Sequence, residues 1–534
     1  MLWLGKLRIV TKPHAKESVI ALAVFLLGCL SMVPFAQLFD PGSINDEGLI
    51  GMGAARLWFG DALYTDFTTH IAPGLYLLTL ICFYLFGPNI LAVRVLMALI
   101  TGGLVLTVYL VSKRVVPGPY RFIAPGLFLC AGVTQWPILS YHWAGVLAFM
   151  VGVVALLAWN EKPTKFSAGA CGGSFAFSCW MLQSEAAALL FLTALATLDR
   201  RKEMSRQDFL YWFLGFGAVS GLLWTPIFWR TSVWDVWEQN VLWAIQFNAV
   251  PGSAPYDVAA ITTRWSGFWQ PFSRAPWTAA VVWWAVQSVS FLLVWSINYL
   301  AFYPVLLLST AVGWKYREER AFRLVIYGQL ASCLAWQSRQ TMLYLNFVTP
   351  LFLILLVYLG YRARKAGKVL LGLVGLSYLC AYGFWCREAG QYTFPIRTPR
   401  GTLYAKNPNL AGMMDRVYRV AEELTPPGSP AFCYPYAMGF GFLSGVRPVT
   451  RLLYIIPILG PDHLVPKVLE DLEQSKPPYI YYSPWGRDTL HAVPRVDQAR
   501  FWSLMEDYNS RIQADYEPVA KVENIQFLKR RKEP

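Results

Sequence analysis

The sequence predicts a mainly α protein: a polytopic membrane helical bundle of about 11 transmembrane helices with a small C-terminal extracytoplasmic α/β domain. Three observations predict it. The 534 residues are 56% hydrophobic and only 15% charged, a balance that suits lipid better than water. Lys and Arg gather in short segments between apolar runs. After residue 385 the long apolar runs give way to alternating amphipathic and strand-like stretches.

A spanning helix needs about 20 mainly apolar residues. Runs of that kind place spans at 19–38, 89–111, 121–138, 142–159, 167–182, 184–198, 209–228, 290–312, 324–338, 342–361 and 367–385. The first follows Lys6, Arg8, Lys12 and Lys16. No small-residue cleavage pattern precedes the acidic loop behind it, so it reads as a retained helix, not a signal peptide. Basic segments at 113–121, 200–206, 315–323 and 362–368 then fall inside with the N-terminus. Loops 39–88, 229–289 and 338–341 fall outside, together with 386–534. The run PGLYLLTLICFYLFG (73–87) is too short to count, and counting it would carry Lys113, Arg114 and Arg200–Lys202 outside. The formal charge of +14 is thereby a topology signal, and no nucleic-acid partner is expected. The nine cysteines lack metal-ligand spacing. Cys29, Cys130, Cys333 and Cys380 sit in apolar runs as small core residues, and Cys386 and Cys433 alone are placed for an external disulfide.

Loop 39–88 reads as two short helices lying on the membrane, in a region holding Asp40, Asp46, Glu47, Asp61 and Asp66 against one base, Arg56. Asp40-Pro-Gly and Gly60-Asp61 are ordinary turn chemistry. In INDEGLIGMGAARLW, Asn45 or Ser43 caps a helix, Asp46 and Glu47 fill its first turn, and Leu49, Ile50, Leu57 and Trp58 supply an apolar face. The acidic pair serves either the helix dipole or proton abstraction from an acceptor hydroxyl. His70 and His142 fall at predicted outer edges: they are either satisfied interfacial histidines or, with the acidic pair, a divalent-metal or proton-relay site. Arg94 lies early in the second span and either neutralises a loop carboxylate or holds a phosphate. Arg339 has no acidic sequence neighbour, which favours a phosphate. Glu185, at the start of the sixth span, is expected to pair with an arginine. Loop 229–289 is rich in tryptophan, for interfacial anchoring or for the wall of a lipid groove. Beyond 385, residues 411–424, 463–474 and 497–512 read as helices, and PAFCYPY and PPYIYYS as short strands. The basic KRRK at 529–532 reads as a solvated end. No P-loop, GxGxxG, HExxH or internal repeat occurs.

The stretch DEGLIGMGAARLWFGDALYTDFTTHIAPGLYLLTLICFYLFGPNILAVRVLMALI resembles the first outer loop and second helix of glycosyltransferase family 39. That family includes protein O-mannosyltransferases and lipid A aminoarabinose transferases of the GT-C fold. The Asp-Glu pair, the Gly-Asp turn, the proline before a short apolar helix, the LFG break and the following Ala-x-Arg carry the likeness over 40–115. WQSRQTMLYLNFVTPLF, FCYPYAMGFGFLSGVRPVTR and LEDLEQSKPPYIYYS extend it more weakly. The resemblance implies a GT-C-like domain at 1–385, with its active site in loop 39–88, and an extracytoplasmic domain at 386–534. It implies Asp46 in catalysis, with Glu47 beside it. Many members carry Lys or His where His70 stands, and the acid usual in the next outer loop is replaced here by His142.

The implied reaction moves a sugar from a polyprenyl-phosphate donor to a protein, lipid or glycan acceptor, with inversion, at the outer face of a bacterial cytoplasmic membrane. Asp46 would deprotonate the acceptor, and Arg339 with Arg94 would hold the lipid phosphate. No cofactor is required, although a divalent metal stays open at His70 and His142. The rival reading is a multi-pass transporter or lipid flippase. That class tends to show internal repeats and ionisable residues near the midplane, whereas the notable charges here sit at the outer edge.

Overall fold

The computed structural model describes residues 13–40, 44–201, 203–243, 302–315, 319–336, 346–434, 437–452, 465–482, 498–523 and 525–531. The bundle runs through α1 (Pro13–Leu30), α2 (Ile44–Trp58), α3 (Gly74–Phe86), α4 (Ile90–Val115), α5 (Ile123–Ala131), α6 (Tyr141–Glu161), α7 (Lys165–Met181), α8 (Gln183–Asp199), α9 (Arg206–Phe228) and α10 (Val233–Trp237). It continues through α11 (Phe302–Lys315), α12 (Arg320–Trp336), α13 (Thr349–Arg362) and α14 (Arg364–Ala389). Among the described residues, five helices are long and apolar enough to cross a membrane: α1, α4, α6, α9 and α14. The protein is a membrane protein, and its surface agrees. α9 turns Phe209, Leu210, Phe213, Leu214 and Leu222 outward, and α14 turns out Val369, Leu370, Leu373, Leu376 and Leu379. Such stripes suit hydrocarbon and not water.

α4 is the central post, with buried residues along its whole length and α1, α3, α5 and α6 packed around it. Small residues let neighbours approach closely. Between α7 and α9, for example, a Cβ on Gly215 would fall 2.0 Å from the Gly169 carbonyl oxygen.

One short helix agrees with the hydropathy reading, and one stretch differs from it. α3 is a helix of 13 residues, about 20 Å long by helical rise, too short for a hydrocarbon core of about 30 Å. The run 121–138, expected as one span, holds the end of a 3-10 helix at Gly118–Phe122, the nine residues of α5 and a 3-10 turn at Val133–Gln135. Gly132 leaves helical geometry with ψ −95°, and Pro137 cannot re-enter a helix by donating an N–H. The chain at 136–140 is therefore irregular, and its carbonyl and amide groups are satisfied from outside a helix, Pro137 by Arg94 and Leu139 by Glu47.

The C-terminal unit opens with a hairpin of β1 (Phe394–Thr398) and β2 (Gly401–Ala405). After α15 (Pro408–Leu424) come β3 (Pro430–Tyr434), α16 (Met438–Leu443), β4 (Arg447–Pro448), α17 (Val465–Ser475), β5 (Tyr479–Tyr482), α18 (Gln498–Asp515), β6 (Tyr516–Val522) and β7 (Ile525–Arg530). The five-stranded sheet has the order β4-β3-β5-β7-β6, parallel about β3 and antiparallel about β7. Strand alternation gives it two faces. Phe432, Ile480 and Leu528 pack with Val468, Leu472 and Tyr508 from α17 and α18. Cys433, Tyr481 and Phe527 face the core that α15 joins through Val417 and Ala421.

Two expectations are corrected here. Lys529 and Arg530 close β7, a strand flanked by β5 and β6, and Arg531 donates to the Tyr516 and Gln513 carbonyls, so residues 529–531 are held in the sheet and are not a loose end, although Lys529 and Arg531 are exposed as expected. Cys386 and Cys433 do not pair, since both are free thiols. Cys433 is buried under α16, where a Cβ on Gly441 would meet its sulfur at 2.8 Å, while Cys386 contacts the Tyr382 hydroxyl within α14.

The C-terminal unit does not stand apart. α16 lies directly on α2, and a Cβ on Gly48 would fall 2.3 Å from the Gly439 backbone nitrogen. Backbone against backbone leaves no side chain to swing away. Gly48→Ala is expected to destabilise the protein by about 1–3 kcal/mol or more, the range for overpacking a tight contact. Thermal unfolding of the purified full chain in detergent checks this, with the lipid-facing Gly217→Ala expected to be neutral because nothing lies within 4 Å of its added Cβ.

Candidate active site

The acidic pair occupies the first turn of α2, as the residue pattern predicts. The helix starts at Ile44, directly after Ser43, one of the two expected caps, which lies outside the described residues; Asn45, the other, falls inside the helix. Asn45 instead accepts a hydrogen bond from the Gly439 N–H at 3.1 Å, tying α2 to α16. Consecutive helical residues point about 100° apart, so Asp46 and Glu47 meet different surroundings. Glu47 is fully buried and Asp46 half-buried.

Glu47 is locked in place. Its Oε1 accepts the Leu139 N–H at 2.9 Å, and its Oε2 lies 2.6 Å from a terminal nitrogen of Arg94. Arg94 also donates to the carbonyls of Phe35 at 3.0 Å, Leu38 at 3.1 Å and Pro137 at 3.4 Å. One guanidinium thus gathers the exit from α1, the irregular chain before α6 and the start of α2. Burial pushes the Glu47 carboxyl above the ordinary carboxylate range. Arg94 and the Leu139 amide oppose that push, and the neighbouring Asp46 charge adds to it. Arg94, expected as a donor-phosphate ligand, is 6% exposed and committed to this pair and these carbonyls. Arg339, the other expected phosphate ligand, lies outside the described residues.

His70 and His142 both flank Tyr141, the first residue of α6. The His70 ring meets the Tyr141 ring edge-on at 6.3 Å. His142 lies 4.2 Å from Tyr141 and stacks on Phe347 at 4.9 Å. Phe347 is the second residue of the described chain that follows the segment containing Arg339. Among the described residues no group of three or more His, Cys, Asp and Glu could hold a metal ion. Glu47, one potential ligand, is spent on Arg94. Among the described residues this grouping does not fit a resident metal, and no step is routed through one.

Several positioning residues carry no signal in the sequence. The loop 61–73 is held by a π-helical turn, Glu238–Leu242, that continues α10. Gln239 donates to the Tyr64 carbonyl at 2.8 Å and accepts the Thr69 N–H at 3.1 Å. Asn240 accepts from the Tyr64 hydroxyl at 3.2 Å and from Gln183 at 2.9 Å. Gln183 also donates to the His70 carbonyl at 3.1 Å. Tyr64 is fully buried with φ +68°, a strained setting for a bulky residue that persists only when its surroundings enforce it. At the far end of α2, Arg56 and Arg447 share Asp61 at 2.6 and 2.8 Å, and Arg56 also reaches the Thr450 carbonyl. Glu185 meets no arginine among the described residues, contrary to expectation.

Beside this polar ring lies an apolar groove of about 600 Å³ between α7, α8, α9 and α10. Phe175, Leu190, Trp224, Phe228 and Trp237 line it, and Gln183 and Asn240 also belong to its wall. Of the tryptophan-rich stretch, Trp237 faces the groove while Trp229 and Trp234 are exposed. Trp265, Trp269 and Trp277 lie outside the described residues.

The chain matches no protein-family model and no curated protein. Solved structures do match. ArnT from Cupriavidus metallidurans bound to undecaprenyl phosphate is similar with a TM-score of 0.58 at 11% identity, over 96% of this chain and 98% of that one. Its apo state gives 0.53 at 13% identity, over 97% and 98%. The oligosaccharyltransferase of Archaeoglobus fulgidus in complex with Zn and sulfate gives 0.52 at 14% identity, over 86% and 67%. Over nearly its whole length, the chain has the GT-C fold of these polytopic glycosyltransferases.

Proposed function

We propose that this protein is a membrane glycosyltransferase that moves a sugar from a polyprenyl-phosphate donor to an acceptor on the extracytoplasmic side, with inversion. One observation carries the reading. A continuous line of contacts joins Asp46 to the apolar groove. Glu47, next to Asp46, holds Leu139, two residues before Tyr141; Tyr141 meets His70; and the His70 carbonyl holds Gln183 at the groove wall. A polyprenyl chain suits the groove, because its lining is apolar and it flanks helices that face lipid. The sugar-phosphate then lies toward Asp46.

In this reading Asp46 accepts the proton of the acceptor hydroxyl. The acceptor oxygen attacks the anomeric carbon as the bond from that carbon to the phosphate oxygen breaks. The lipid phosphate leaves with the bonding electrons, needing charge stabilisation more than protonation. Arg339 is the proposed phosphate contact on sequence grounds. Glu47 and Arg94 act as positioning residues, since neither is free to reach a substrate. The acceptor can be a protein, lipid or glycan hydroxyl.

Asp46→Asn keeps the shape but not the basicity, and turnover with a defined polyprenyl-phosphate sugar should fall about 10²- to 10⁴-fold, with donor binding retained. Wild-type turnover in this variant would remove Asp46 from the chemistry, and lipid translocation without transfer would favour the flippase reading. Arg339→Ala should weaken binding as well as turnover, and Arg339→Lys should recover only part.

The Glu47–Arg94 pair should behave differently. Arg94→Ala leaves a buried charge unpaired, and a loss of about 3–5 kcal/mol is expected. Glu47→Gln combined with Arg94→Ala should recover part of it, since both charges go together while the carbonyls of Phe35, Leu38 and Pro137 still lose their donor. Detergent-solubilised thermal unfolding of the four-member cycle measures the coupling, and additive losses would show that the two side chains do not depend on each other.

A further inference from the structure

Four acidic side chains are buried among the described residues: Glu47, Asp61, Asp471 and Glu185. Three have arginine partners. Glu47 meets Arg94, Asp61 meets Arg56 and Arg447, and Asp471 meets Arg451. Glu185 is 7% exposed, and no hydrogen bond or ion pair reaches its carboxyl among the described residues. An acid held out of water without a donor is costly and is kept only where something satisfies it.

Its position says what that is. Glu185 lies in the first turn of α8, two residues after Gln183. Gln183 turns to the groove wall, to Asn240 and to the His70 carbonyl. Glu185 turns to α6, where a Cβ on Gly145 would come 3.0 Å from its Cγ. The bare glycine makes room for the carboxyl. Gly145 lies one turn beyond Tyr141 and His142 on the same face of α6. Helical side chains tilt toward the N-terminus, so the carboxyl leans toward the ends of α6 and α8 where Tyr141, His142 and His70 meet. That place lies between the apolar groove and the helix bearing Asp46.

We infer that Glu185 is a donor-recognition residue whose missing partners are hydroxyl groups of the transferred sugar. The inference rests on the glycosyltransferase reading above. In a donor ordered as tail, phosphate and sugar, the tail fills the groove, and the sugar reaches toward Asp46 past the ends of α6 and α8. A carboxylate repels the phosphate and accepts hydrogen bonds from sugar hydroxyls, which are uncharged donors. The same contact selects among sugars by where their hydroxyls point, because a ring lacking the right hydroxyl leaves the buried acid unsatisfied.

The test uses the purified full chain in nanodiscs. Two kinds of probe are titrated: an unglycosylated polyprenyl phosphate, and the same lipid carrying glucose, mannose, galactose, arabinose or xylose. Wild type should hold at least one sugar-bearing lipid about tenfold or more tightly than the bare lipid. Glu185→Ala should remove that advantage while binding the bare lipid as wild type does, which also shows that the variant is folded. Glu185→Gln should stay within about threefold of wild type for the preferred sugar, because an amide still accepts from hydroxyls. Equal loss of both lipids in Glu185→Ala would make the residue structural and overturn the inference, as would no loss of either. Loss in Glu185→Gln as deep as in Glu185→Ala would show that charge, not hydroxyl bonding, makes the contact, and would overturn the sugar assignment. If wild type bound the bare lipid but preferred no sugar, the sugar contact would fail and a lipid-phosphate site would remain. If wild type bound neither lipid, the glycosyltransferase reading itself would fall, and this inference with it.

Discussion

The buried pairing of Glu47 with Arg94 is the interaction on which the rest depends. A buried ion pair adds little net stability by itself, because desolvation offsets the attraction. Its effect here is to specify an arrangement. Three backbone carbonyls, at Phe35, Leu38 and Pro137, stand where helices end or break, and each needs a donor in a region poor in water. Arg94 supplies all three and still reaches Glu47. The pair therefore sets the rotation of α2 about its axis. With Glu47 turned inward, Asp46 points elsewhere and stays half-buried, because neighbouring helical residues cannot share a direction.

α2 is held from the other side as well. The α16 helix lies across it with backbones in contact at Gly48 and Gly439, and Asn45 adds a hydrogen bond at the same place. Arg56, Asp61 and Arg447 close the far end against β4. The C-terminal unit is thereby a clamp on the helix bearing the acidic pair. The π-helical turn plays the matching part for the loop of His70, through the amides of Gln239 and Asn240. The candidate site is built at a junction of three elements that each arrive from a distant part of the chain.

Much of the fold was legible because its signals are local. Apolar length and basic clustering marked α4, α6, α9 and α14, and period-two and helical patterns marked β3, β5, α15 and α17. The misreadings share a cause. At 121–138 an apolar run was continuous in composition, yet Gly132 and Pro137 end the helix, since hydropathy does not register backbone geometry. Asn45 read as a cap because caps are local, and it went instead to Gly439, almost four hundred positions away. Cys386 and Cys433 read as placed for an external disulfide because they lie outside the apolar runs, yet both are free thiols, one in α14 and one in the sheet core. Gln183, Gln239 and Asn240 gave no sign, because a polar amide in a helix looks like any other until its partner is known.

The sequence by itself determined the medium, the helical architecture, the C-terminal change to helix and strand, and the placing of two acids in the first turn of one helix. These follow from composition, charge asymmetry and short-range periodicity, which act over a few residues. Only the tertiary structure decided which acid is fully buried and which is half-buried, that Arg94 is bound to Glu47, and that Glu185 is buried with no arginine beside it among the described residues. Those outcomes depend on what meets a side chain across space. A carboxylate has the same chemistry in every sequence context, and only its burial and its neighbours across space distinguish one from another.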